Sequence, residues 1–120
     1  VTFITSIPVA SYLLCTMDTV NSSSSFQEII SSGKPVLVDF FATWCGPCKM
    51  MGPILSQVKQ QLGDRVHILK IDVDRNPQAA ETFGIQGVPT LILFQGGNIK
   101  WRQSGVVQAN QLIGILNDCA

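Results

Sequence analysis

The stretch FATWCGPCKM, residues 41 to 50, sets Cys45 and Cys48 two residues apart, with Gly46 and Pro47 between them and Trp44 in front. Three chemistries use such a pair: metal binding, a structural staple, and thiol redox exchange. Zinc wants about four Cys or His ligands within reach. The chain offers one C-x-x-C and a single histidine, His67, which falls inside a strand-like run and reads as an ordinary strand residue. A purely structural disulfide closing so short a loop removes little chain entropy. The reactive reading has a geometric basis. Cys45 follows an apolar run of strand length, and Pro47 suits the first turn of a helix. Cys45 therefore sits at a helix N-terminus, where the partial positive charge favours a thiolate. Cys48, three residues on, lies one turn along on the same side, where a disulfide can close without unwinding the helix.

The elements that position this pair follow from periodicity. VLVDFFA, after Pro35, reads as a strand buried on both faces. Met51, Leu55, Val58 and Leu62 then recur at helical spacing until Gly63-Asp64, and VHILKIDV is the next strand. Together they make a parallel, right-handed strand–helix–strand unit. Asn76-Pro77 starts a short helix, with Asn76 as cap, that ends near Gly84. TLILFQGGNIKWRQS reads as a hairpin turning at Gly96-Gly97. Ala109, Leu112, Ile113 and Leu116 stripe a C-terminal helix. Upstream, SFQEIISSGK is a short amphipathic stretch with Ser25 and Glu28 at capping-box spacing and Gly33 at its end, and a weak strand is expected near Thr19–Ser22. Pro53 should kink the long helix. Met50, Met51 and Trp101 read as packing residues. The pattern is an α/β sandwich with helices on both faces of the sheet.

Bulk properties bound the function. The 120 residues suit one domain, and 46% hydrophobic content supplies a core without disulfide staples. A formal net charge of zero argues against nucleic acid, whose binding shows as a basic surplus. No run of about 18 apolar residues proposes a membrane span. Of the other cysteines, Cys15 and Cys119 stand near the two ends with no motif around them.

VDFFATWCGPCKMMGPIL, KIDVDRNP, GVPTLILF and WRQSGV together resemble the thioredoxin family over about residues 19 to 118. The combination is specific: W-C-G-P-C, an Asp six residues before the first cysteine, and V-P-T about forty residues after the second. The resemblance implies a central mixed five-stranded sheet flanked by four helices. It also implies a protein disulfide reductase, with Cys45 as nucleophile and Cys48 as resolving thiol, needing no metal or bound cofactor. Gly46 and Pro47 form the active-site turn, and Gly-Pro there goes with a reducing rather than an oxidising couple.

Asp39 is the strongest conflict inside the sequence. A charged carboxylate within Val-Leu-Val-Asp-Phe-Phe costs several kcal/mol to bury unless it is neutral or paired. One reading points it to solvent from a strand edge. The other makes it an acid of raised pKa that accepts the Cys48 proton through water. Lys70 occupies the position where the family places a lysine near that acid. The resemblance makes Val88–Pro89 a cis bond beside the cysteines, with Trp44, Gly87, Val88, Pro89 and Gly105 forming a shallow groove for an extended peptide. Where many relatives carry a second tryptophan, this chain has Phe41, which keeps the packing and loses an indole donor.

The implied partners are a thioredoxin reductase (an NADPH-dependent flavoprotein) and oxidised clients such as reductive enzymes and peroxidases, met by a cytoplasmic monomer. Two rival readings are a non-catalytic binding subunit of the same fold and an exported oxidase or isomerase. Residues 17–120 read as the domain. Residues 1–16, apolar and uncharged, read as a leader remnant or an added segment, with association through them or export left open.

Overall fold

The computed structural model describes residues 17–19, 28–31 and 33–119. The expected leader, Cys15 and Ser25 of the capping pair lie outside these residues. One mixed sheet contains β1 (Met17–Thr19), β2 (Val36–Phe41), β3 (His67–Asp72), β4 (Thr90–Gln95) and β5 (Asn98–Ser104), in the spatial order β1-β3-β2-β4-β5. Strands β1, β3 and β2 run parallel, whereas β4 is antiparallel to β2 and β5 to β4. Helices α1 (Gly46–Leu62), α2 (Pro77–Thr82) and α3 (Ala109–Cys119) flank it, with a further helical turn at 28–30. The first strand shares only Thr19 with the stretch expected at 19–22. It is defined by pairing with β3, Met17 opposite Ile68 and Thr19 opposite Lys70, which no local pattern announces.

Val36 to Phe40 are each at most 1% exposed. Their strand has a neighbour on each edge and helices over each face, so an uninterrupted apolar run is what the position demands. Alternation then sorts the core into two layers. Val36, Val38 and Phe40 pack with Leu69, Ile71, Ile92 and Phe94 against Ile30 and Ala79. Leu37, Ile68, Leu91 and Leu93 pack against Met51, Leu55, Val58 and Leu62 of α1 and against Leu112 and Leu116 of α3. The helical stripes read from the sequence are therefore the buried faces. Met50 departs from expectation: it is 58% exposed. One residue before Met51 is about 100° around the helix, which turns it from the core to solvent. Trp101 is half-buried against the second layer, as a packing residue.

α1 continues through Pro53, which lies on its exposed side, where solvent serves the carbonyl that a proline cannot bond. Asn76 precedes α2, but its side chain makes no capping bond; it donates instead to the Asp72 carbonyl at 3.0 Å. The turn between β3 and α2, whose two ends Asp72 and Asn76 are buried, uses that amide internally. At the hairpin, Gly96 and Gly97 have φ of 61° and 83°, the left-handed pair that a two-residue turn requires. Arg102 on β5 reaches over the end of α2, donating to the carbonyls of Phe83 and Gly84. A guanidinium there satisfies helix-end carbonyls that have no partner along the helix.

Candidate active site

The cysteine pair sits at the carboxyl end of β2, where α/β sheets place their reaction sites. Cys45 is the residue before α1, in extended conformation (φ −86°, ψ 115°), and its sulfur caps the helix by accepting the Cys48 N–H at 3.1 Å. Cys45 and Cys48 are joined as a disulfide with their Cα atoms 5.3 Å apart. Both are buried, at 4% and 5% exposure, against Ala42, with Phe41, Val73 and Val88 around them. Burial does not distinguish the two sulfurs. Position does: Cys45 Sγ has the helix amide on one side and the Val88 carbonyl 3.7 Å away on the other. That carbonyl is an acceptor for the thiol form. Gly46 and Pro47 form the exposed first turn of α1 between them.

Asp39 lies two residues before Phe41 on β2, with no exposed surface, and neither carboxylate oxygen has a hydrogen-bond partner among the described residues. Its strand is central, so the solvent-edge reading does not hold. Burial pushes its pKa up to about 7, and the charge of Lys70 pulls part of that back. Lys70 is directly opposite Asp39 in the parallel β2–β3 register. The Lys70 ammonium also stands 5.3 Å from the centre of the Phe41 ring, so this phenyl offers a π face to a cation. The single histidine, His67, is a half-buried strand residue whose backbone N–H bonds Pro35.

On the opposite flank of the disulfide, Trp44 is 71% exposed, and its indole N–H donates to Asp74 at 2.8 Å. Asp74 is set in turn by its own N–H, which donates to Asp72 Oδ1 at 2.9 Å. A cavity of about 240 Å³ opens here, lined by Trp44, Gly87 and Val88 together with Val73, Pro77, Ala80, Ile85 and Gln86. Three of the expected groove residues thus line it, and two do not. Pro89, in a cis bond to Val88, is buried behind it, and Gly105 supports Pro89 by donating its N–H to that carbonyl at 2.8 Å. The Thr90 hydroxyl donates to the Gly87 carbonyl at 2.6 Å, fixing the lining segment before β4. Sequence reasoning missed Asp74 and the α2 contribution of Pro77 and Ala80. The signal was present: Asp74 lies two residues past the end of β3, near the strand end where sites collect.

Cys119 is the free cysteine among the described residues, half-buried at the end of α3 and remote in sequence from this site.

The thioredoxin family model matches residues 17–118, nearly the whole described chain. The chain belongs to the thioredoxin family. It is 41% identical to the thioredoxin of Rickettsia prowazekii over 101 residues, covering 84% of this chain and 96% of that protein. A thioredoxin-like protein of Synechocystis is 52% identical over 91 residues, 75% of this chain and 87% of the relative. Among solved structures, a thioredoxin of Malassezia sympodialis superposes with a TM-score of 0.78 at 33% identity, over 88% of this chain and 96% of the other. In this member of the family the Cys45–Cys48 pair is the redox centre, and thiol–disulfide exchange is its chemistry.

Proposed function

We propose that this chain acts in the reducing direction, as a general protein disulfide reductase. The observation that carries the assignment of roles is the sulfur of Cys45 serving as the N-cap of α1. An amide N–H and the helix dipole both favour negative charge on that atom. The Cys45 thiolate attacks a client disulfide, forming a Cys45–client bond and releasing the client's other sulfur as a thiolate. Cys48 gives its proton to the ionised Asp39 and attacks the Cys45 sulfur. The Cys45–Cys48 bond forms, and the second client thiolate leaves. Two electrons pass to the client, and a thioredoxin reductase, an NADPH-dependent flavoprotein, restores the dithiol.

Asp39 suits the proton transfer because its pKa near 7 lets it take a proton at working pH. Lys70 tunes that value. Trp44, Gly87 and Val88 hold the client chain by its backbone, Pro89 and Gly105 shape the strand beneath, and Gly46-Pro47 keeps the couple reducing. Clients are oxidised proteins, including reductive enzymes and peroxidases. The working unit is a cytoplasmic monomer. No helix among the described residues is long and apolar enough to cross a membrane. Residues 17–120 form the domain, with four helices about a five-stranded sheet and the turn at 28–30 belonging to the first, and residues 1–16 are a leader remnant or an added segment. The rival binding-subunit reading has no need of both cysteines and the buried acid.

Trapping tests the roles. With an oxidised protein substrate, Cys48→Ser should accumulate a mixed disulfide through Cys45, and Cys45→Ser should accumulate none. Equal trapping by the two variants removes the assignment.

A further inference from the structure

Beside Cys48, on the flank away from Trp44, lies a second cavity of about 240 Å³, lined by Phe41, Ala42, Thr43, Cys48, Lys49 and Lys70. We propose that it binds a carboxylate carried by the disulfide substrate, close to the cysteine under attack, so that clients with an acidic residue there are preferred. The inference rests on the reductase reading above and adds a selectivity to it.

Several observations carry it. The lining includes two lysines and one threonine and no acidic residue. At about 30 Å³ per water in the liquid, the space admits a carboxylate with part of its hydration. The 17-residue helix α1 has no acidic residue in its first turn, where Asp and Glu are favoured, and places Lys49 near its start instead. Its positive end therefore has no counter-charge from its own first turn. Among the described residues no ion pair holds Lys49, and the ring of Phe41 is the group over which Lys70 rests. The acid that faces Lys70 across the sheet, Asp39, is held toward its neutral form by burial. The opposite flank has the reverse sign, since Asp74 is bonded to Trp44 there. A client lying across the disulfide thus meets a positive pocket on one side and a carboxylate on the other.

Two matched peptide disulfides, differing only in Asp or Asn beside the cysteine, provide the test with the full chain. At low ionic strength kcat/KM should favour the Asp peptide by about three- to tenfold, the range of a partly exposed charge contact with two lysines. The preference should fade as salt shortens the screening length, and Lys49→Glu should reverse it. Equal rates for the two peptides, or the same ratio in Lys49→Glu, overturn the pocket. Failure to reduce even the Asn peptide strikes the reductase reading instead. The pocket is then tested by titrating the disulfide form with sodium acetate, against sodium chloride at equal ionic strength. Amide NMR shifts specific to acetate should gather at Thr43, Lys49 and Lys70, and their absence overturns the proposal.

Discussion

Replacing Asp39 by Asn should stabilise the protein, and by an amount that depends on pH in a calculable way. The carboxyl is raised from 3.8 to about 7 by burial. That is about three units at about 1.4 kcal/mol each, so ionising it inside the fold costs up to about 4 kcal/mol. The sign follows from proton binding. Above about pH 4 the unfolded chain has released this proton while the folded chain retains it, so stability falls as pH rises, levelling off above about pH 7. Asn cannot ionise and escapes the whole penalty. It still buries an amide where Asp39 has no bonded partner, a cost of about 1–3 kcal/mol that the neutral acid partly shares. The net gain should be about 1–3 kcal/mol near pH 8 and close to zero near pH 4. Urea unfolding of the disulfide form at both pH values measures it, and at about 4 °C per kcal/mol a thermal scan resolves it too. Without the proton acceptor, the same variant should also release product from the mixed disulfide more slowly. An Asn variant less stable than the parent near pH 8, or one with the same offset at both pH values, would refute the buried-acid argument.

The Cys45–Cys48 couple should equilibrate with a reference dithiol near the −270 mV or so that characterises thioredoxins as a group, and a value above about −180 mV would place it among isomerases and oxidants. Asp74→Asn weakens the acceptor that holds the Trp44 indole; KM for a protein client should rise about two- to fivefold with kcat nearly constant, as befits a neutral bond replacing a charge-assisted one, and a change in kcat alone would point elsewhere. Leu55→Ala empties a fully buried position between α1 and the sheet and should cost about 2–5 kcal/mol in chemical denaturation, a loss below about 1 kcal/mol being incompatible with that packing. A chain starting at Met17 should keep its reductase activity and lie within about 1–2 kcal/mol of the full chain, whereas failure to fold would make residues 1–16 part of the domain.

Much of this architecture was legible because local and global demands coincide. The stripe from Met51 to Leu62 has one possible use on a helix, and the run from Val36 to Phe40 has one on a central strand. The cysteine turn was legible because a helix start and a thiolate want the same place. Other features depend on partners far away in sequence. Met17–Thr19 is a strand because β3 lies beside it, and Asn76 abandons its capping role because Asp72 offers a buried carbonyl. Met50 looked like core by composition and was placed outside by its angle on the helix. Likewise, the Trp44–Asp74 bond spans 30 residues, and Phe41 as a seat for Lys70 required knowing that β2 and β3 are neighbours.

The client-facing loop and the cysteine turn are fastened to different parts of the molecule. The loop hangs from the hairpin side, through Arg102 on Phe83 and Gly84, Gly105 on Pro89, and Thr90 on Gly87. The cysteine turn belongs to α1, and the two meet where Val88 packs against the disulfide and its carbonyl approaches Cys45 Sγ. On the proposed function, electron affinity and client choice are therefore separable traits except at Val88. If the segment 85–88 holds clients as proposed, changes at Gly46 and Pro47 should shift how strongly the couple holds its electrons while leaving that segment where it is, and changes at Ile85 and Gln86 should redirect the protein to new clients, whereas a change at Val88 touches both. A lineage built on this scaffold can tune one while selection holds the other fixed.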